Sequence, residues 1–194
     1  MQNTPKERIK ESIETYLSEK RKCHTLAVAS EALALARHYG VEPEKAELAA
    51  LFHDMFREKP QEILDEYVRE LGLDTSYLGN SNLAHGRIAG IIMKRDYGIK
   101  DQDIINAVSY HTTGRAGMSA LEKIIYLADA IEPGRGYPGA EVLRELAYEN
   151  LDQACINAMN RSIDFIKSRG LVLDWDTIRA RDYLMEQERR EYEE

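Results

Sequence analysis

Apolar residues recur at helical spacing along most of the chain, with turn-forming residues between the runs. Ile9, Ile13, Tyr16 and Leu17 fall three or four apart, the period of one helix face. Ahead of them, Thr4-Pro5-Lys6-Glu7 offers an N-cap, a proline in the first helical position and a glutamate that closes a capping box. An Ala/Leu-rich helix is predicted from about Cys23 to Tyr39, stopped by Gly40. A third runs from near Pro43 to near His53. Ile63, Leu64, Tyr67, Val68 and Leu71 mark a fourth, with Gly72 behind it. Residues 74–80 form a turn-rich connection. Ser81 is placed to cap a helix carrying Ile88, Ile91 and Ile92, and Asp101 to cap one carrying Ile104, Ile105 and Val108. A glycine-containing loop follows at 111–117. Ser119 and Glu122 make a second capping box, and the helix they open holds Ile124, Ile125, Leu127 and Asp129 and ends before Pro133. A second glycine-rich loop spans Gly134 to Gly139. The last two helices run roughly from Asn150 to Arg169 and from Asp174 to the end, where the charged run 186–194 reads as a solvated helix end. No strand-like alternation, repeat or change of composition interrupts this pattern. The expectation is an all-α, single-domain helical bundle over 1–194, with its core between about 6 and 185.

Composition narrows the function classes. The 194 residues suit one domain, and 43% are hydrophobic, enough for a sizeable core. No apolar run approaches the roughly 20 residues that span a bilayer. Met1 to Lys10 is polar, with no apolar stretch that would serve as a secretory signal, so a cytoplasmic protein is expected. Cys23 and Cys155 make neither a CxxC pair nor a disulfide framework. The net charge of −8 disfavours duplex DNA and anionic membranes as partners. It equally disfavours a phosphate substrate, unless a bound cation or clustered arginines invert the field locally.

The candidate chemistry lies in five histidines, His24, His38, His53, His85 and His111, and in two acids. His38 sits beside a helix C-terminus, where a partly charged imidazole is favoured, and reads as surface. Adjacent helical residues point about 100° apart, so His53 and Asp54 face one point only near a helix end or crossing. An imidazole beside a carboxylate suits iron, manganese or zinc; the alternative is a hydrogen-bonded surface pair. Asp129 is an acid inside the apolar string Ile-Ile-Tyr-Leu-Ala-Asp-Ala-Ile. A buried carboxylate needs a metal or a cationic partner, and both readings stay open.

The order His…His-Asp…Asp on helices resembles the HD-domain superfamily of metal-dependent phosphohydrolases. His111-Thr112-Thr113-Gly114-Arg115, the run Met118 to Asp129, Ile131-Glu132-Pro133-Gly134-Arg135 and Tyr137-Pro138-Gly139 resemble its bacterial YqeK branch. Thr177-Ile178-Arg179-Ala180-Arg181 resembles that branch's C-terminal signature, from which Asp182 and Asp174-Trp175 depart. The likeness covers roughly residues 6–185. It implies a bundle of HD-domain type and symmetrical hydrolysis of diadenosine tetraphosphate to two ADP. It implies a divalent or di-iron centre, with iron favoured over manganese, cobalt or zinc, and a homodimer agrees with it and with the prevalence of symmetric pairs. His24, His53, Asp54 and Asp129 match the metal ligands. His85 and His111 match histidines that complete a second metal position or contact phosphate, and Arg57 matches the basic residue after the His-Asp pair.

Catalysis is accordingly expected from Asp54, His85 and His111. Guanidinium groups fit phosphate in two hydrogen bonds, which makes Arg57, Arg115 and Arg135 candidate clamps. Thr112, Thr113 and Gly114 offer hydroxyls and close backbone approach, and Tyr137 a ring to stack on a base. Alternative readings are an HD-type nucleotidase, a hydrolase of guanosine alarmones, and a nucleotide-binding regulator without turnover.

Overall fold

The computed structural model describes residues 3–193. Met1, Gln2 and Glu194, which belong to the predicted N-terminal segment and final helix, lie outside the described residues. The described residues form ten α-helices and no strand: α1 Pro5–Tyr16, α2 Glu19–His38, α3 Pro43–Phe52, α4 Gln61–Glu70, α5 Ser81–Tyr97, α6 Gln102–Tyr110, α7 Ala120–Ile131, α8 Ala140–Glu149, α9 Leu151–Ser168 and α10 Trp175–Glu193. A single 3-10 turn, Thr75–Tyr77, lies in the 74–80 connection.

Both predicted capping boxes form. Thr4 accepts from the Glu7 backbone while the Glu7 carboxylate accepts from the Thr4 N–H, and Ser119 and Glu122 repeat the arrangement. Two boundaries and one whole helix differ from the sequence reading. Ser18 caps α2 by accepting from the Arg21 N–H, so α2 begins before Cys23 and His24 lies in its second turn. Asn80, not Ser81, caps α5. Helix α8 was not predicted at all. Its N-cap is Gly139, at φ 86° and with no capping side chain; Ala140, Leu143 and Ala147 form its buried stripe, so its apolar residues have the helical period but no side-chain start signal announces it.

The core is built around α7. Leu121, Ile124, Ile125, Leu127, Ala128 and Ile131 are at most 1% exposed, and a helix apolar on every side belongs inside. It packs against α2, α3, α6, α8 and α9. Buried alanines at 29, 32 and 36 on α2 and 46, 49 and 50 on α3 keep the α2–α3 contact close, since interaxial distance follows side-chain size. These four inner helices, α2, α3, α6 and α7, bring the second turn of α2, the C-terminal ends of α3 and α6 and the last turn of α7 to one place. No helix among the described residues is long and apolar enough to cross a membrane.

Candidate metal centre

Helix α3 ends at Phe52, and the chain tightens there into turns closed by Met55 N–H to Phe52 O and Arg57 N–H to Asp54 O. That break lets the neighbours His53 and Asp54 face the same point. Asp54 is the hub. His24 Nε2 and His53 Nε2 each lie 3.5 Å from its Oδ2, while His85 Nε2 lies 3.2 Å and His111 Nε2 3.7 Å from its Oδ1. Asp129, from α7, stands 3.1 Å from His24 Nε2.

The imidazoles are aimed from behind. A carbonyl only accepts, so His53, His85 and His111 donate from Nδ1 to Ala50 O at 2.6 Å, Ser81 O at 2.9 Å and Val108 O at 2.8 Å. Each neutral ring then presents a bare Nε2 lone pair to the centre. Two of these, on His85 and His111, stand 3.0 Å apart, a separation that requires a proton or a cation between or beside them. His24 and His53 are more telling: their buried Nε2 atoms face carboxylate oxygens, Asp129 Oδ1 at 3.1 Å from His24 and Asp54 Oδ2 at 3.5 Å from both. Ligand atoms of His24, His53 and Asp129, and of His53, Asp54 and His111, converge tightly enough to hold one ion. Orphaned buried lone pairs facing carboxylate oxygens are what a divalent cation needs, so the residues fit the metal.

Three further groups shape the centre and escaped the sequence reading. Arg21 donates to Asp54 Oδ2 at 2.6 Å, Glu132 Oε1 accepts from His24 Nδ1 at 3.2 Å, and Asn82 Oδ1 accepts from Arg57 at 2.5 Å. Arg21 precedes His24 by three and Glu132 follows Asp129 by three, each on the same helix face as its ligand; that spacing was the available signal.

The remaining candidates divide. Arg57, Arg135 and Thr112 line the cavity of about 220 Å³ over the histidines. Arg135 also pairs with Asp129, so the metal and cationic-partner readings of that acid are compatible. Tyr137 lies beside it, lining a larger neighbouring cavity. Arg115 does not enter. Its guanidinium forms two bonds, 2.6 and 2.8 Å, to the buried Glu122 carboxylate and faces the Tyr110 ring. Gly114 also faces the core, not the cavity: a Cβ there would meet Met159, Ala180 and Met118. Thr113 is buried and gives its hydroxyl to Gly114 O. His38 is exposed, edge-on to Tyr39 and Tyr148, and Cys155 is buried while Cys23 is exposed.

Comparison with known proteins agrees with this layout. Residues 21–134 match the model of the HD domain. The chain belongs to the HD-domain family. Within it, the chain is 35% identical over 174 residues to the symmetrical bis(5'-nucleosyl)-tetraphosphatase of Bacillus subtilis, covering 89% of this chain and 94% of that protein. It is 37% identical over 183 residues to the enzyme of the same name from Staphylococcus aureus, covering 91% and 93%. The crystal structure of a predicted HD superfamily hydrolase involved in NAD metabolism from Clostridium acetobutylicum superimposes with a TM-score of 0.89 at 40% identity, over 93% of this chain and 97% of that one.

Electrostatics of the HD centre follow from its geometry. Burial opposes a charge on His24, but Asp129, Asp54 and Glu132 outweigh it and push its pKa up to about 9. Burial likewise opposes a charge on His53, and the Asp54 carboxylate overcomes it and raises that pKa. Burial dominates at His85 and lowers its pKa. Asp54 and Asp129 are held well below the usual carboxylate range, because the imidazoles outweigh their burial. A metal ligand must be a neutral imidazole, so a metal held by His24 would expel its proton. Below about pH 9 that expulsion costs affinity, and the cost grows as pH falls. Metal affinity should therefore rise between pH 6 and 9. Calorimetry in buffers of different ionisation enthalpy should record proton release at pH 7.5; release near zero there would contradict a protonated His24.

Proposed function

We propose that this chain is a metal-dependent symmetrical bis(5'-nucleosyl)-tetraphosphatase, splitting diadenosine tetraphosphate into two ADP. One observation carries the reading: buried, unpartnered imidazole nitrogens and two carboxylates lie under a cavity edged by Arg21, Arg57 and Arg135, in a chain related over most of its length to hydrolases of that name.

His24, His53, Asp54 and Asp129 would hold the cation, and iron is our assignment. When bound, such an ion lowers the pKa of a water and polarises a phosphoryl oxygen. The chain's own residues do the rest. Arg57, whose present partner is the neutral Asn82 amide, is free to exchange it for phosphate oxygens. Arg135 reaches the same cavity and spreads charge along the bridge. The neutral His85–His111 pair, with Thr112 Oγ1 3.2 Å from His111 Nε2, turns bare Nε2 atoms toward the same cavity and can accept a proton there. As water oxygen bonds to one of the two central phosphorus atoms and the bond to the bridging oxygen breaks, the pair would take the proton the water gives up and pass it to the leaving ADP oxygen. One water is consumed and two ADP result.

The test is product analysis. Protein loaded with ferrous iron without oxygen should convert diadenosine tetraphosphate to ADP alone. ATP plus AMP would overturn symmetrical cleavage, and no turnover with iron, manganese or cobalt would overturn the substrate.

A further inference from the structure

Helix α7 ends at Ile131, two residues after Asp129, and the last carbonyls of a helix have no partner further along it. The chain turns sharply there, the Arg135 N–H donating to Glu132 O at 2.8 Å. Basic side chains near a helix C-terminus often meet such carbonyls, but the last turn of α7 carries none. Arg144 of α8 meets them from outside. Its Nε donates to Ile131 O at 2.7 Å, and its Nη2 donates to Glu132 O at 3.0 Å and to Arg135 O at 2.7 Å. Its Nη1 turns outward to Glu141, whose side chain is 83% exposed. An ion pair that solvated is worth little, so the three main-chain bonds define what Arg144 does.

The corner fixed in this way carries two side chains that reach the histidine–aspartate centre. Glu132 Oε1 accepts from His24 Nδ1 at 3.2 Å, and the same carboxylate accepts from the Gly134 N–H. Gly134 leaves room for that fold-back, since a Cβ there would stand 2.9–3.3 Å from the Glu132 carboxylate. Arg135 donates through Nε to Asp129 O at 2.8 Å and through Nη2 to the Asp129 carboxylate. The two branches converge, because His24 Nε2 and Asp129 Oδ1 are 3.1 Å apart. A ligating histidine is aimed by the bond that its other ring nitrogen makes. A loosened corner would free Glu132 from His24 and Arg135 from Asp129 together. Arg144 lines neither the cavity over the histidines nor its neighbours, so contact with substrate does not account for it.

We propose that Arg144 is a positioning residue for the metal cage: through the carbonyls of Ile131, Glu132 and Arg135 it aims Glu132 at His24 and Arg135 at Asp129. This rests on the metal centre of the proposed function. It also gives α8 a task. That helix lies beyond the matched HD domain, which ends at residue 134, and it delivers a planar fork of donors to the end of α7. A lysine ammonium has no such fork.

The test is manganese affinity, measured by calorimetry on the metal-free chain. Arg144→Ala should weaken it about tenfold, the lower end of the range for residues that orient a ligand from behind. Arg144→Lys keeps the charge but should weaken it nearly as much. Tyr39→Phe controls for a merely loosened α8. The Tyr39 hydroxyl ties α2 to α8 by donating to Ala147 O at 2.7 Å, and its removal should lower Tm while leaving manganese affinity unchanged. If Arg144→Ala does not fold, Arg144→Lys decides. Wild-type affinity in either Arg144 variant, or an equal loss in Tyr39→Phe, would overturn the positioning role. A wild-type chain that binds no manganese would overturn the centre and this role with it. Failure of the substrate reading looks different: the affinities divide as stated, and diadenosine tetraphosphate is not turned over.

Discussion

His53→Ala and Asp129→Ala are each expected to lose the metal and, with it, more than about 100-fold in kcat/KM. The magnitude has a floor. Changing a residue that merely orients a ligand costs about 10–100-fold in metal affinity or activity, and in the proposed centre these two residues would supply the donor atoms themselves. His53 Nε2 is buried and unpartnered, and Asp129 faces His24 at 3.1 Å. Truncating either opens one side of the cage. The loss should be separable from misfolding by thermal melts. At free metal 100-fold above its Kd, binding stabilises the folded chain by about 2.7 kcal/mol. For a domain of this size each kcal/mol is worth about 2–4 °C. A chelator should therefore lower the wild-type Tm by roughly 5–10 °C and leave both variants almost unmoved. Metal analysis reads the same point directly. Either variant retaining stoichiometric metal and wild-type turnover would remove these residues from the centre.

The parts of this architecture that sequence exposes are those set by neighbours along the chain. Thr4 with Glu7 and Ser119 with Glu122 are local hydrogen-bond pairs, and both form as the spacing requires. Glycine stops work for the same reason. Helix α8 lacks a capping side chain, and its apolar stripe is held by packing against α2, α7 and α9. In the centre, His53-Asp54 is visible as a dipeptide. That Asp54 gathers four imidazoles from α2, the end of α3, α5 and the end of α6 is a tertiary fact. Arg21 and Glu132 illustrate the boundary. Their spacing from His24 and Asp129 is written in the chain, but the partners that give it meaning sit on other elements. Arg115 and Arg135 are alike as loop arginines. What separates them is that Glu122 sequesters one, while the other reaches Asp129.

Gly114 provides the second large effect, and it is one of stability. Its φ is 67°, the left-handed region that favours glycine. A Cβ there would stand 2.6 Å from Met159 Cε and 3.2 Å from both Ala180 Cβ and Met118 Sδ. Gly114→Val therefore meets two penalties. A non-glycine residue in that conformation costs about 1–3 kcal/mol, and a β-branched one lies toward the upper end. Overpacking costs a further 1–3 kcal/mol, because Met159 and Ala180 are buried at the contact of α9 with α10. A total near 4 kcal/mol lowers Tm by roughly 8–16 °C. Gly117→Ala separates the terms. Its φ is 70°, but nothing lies within 4 Å of the added Cβ, so it carries the conformational cost alone, about 1 kcal/mol. A glycine kept for close approach of substrate would behave otherwise, raising KM at unchanged Tm. For Gly114→Ala, assayed below its melting transition, we expect the reverse: kcat/KM within a few-fold of wild type and a clearly lowered Tm. Equal Tm values for Gly114→Val and Gly117→Ala would mean that Met159 and the start of α10 yield freely, and that Gly114 is not a packing contact.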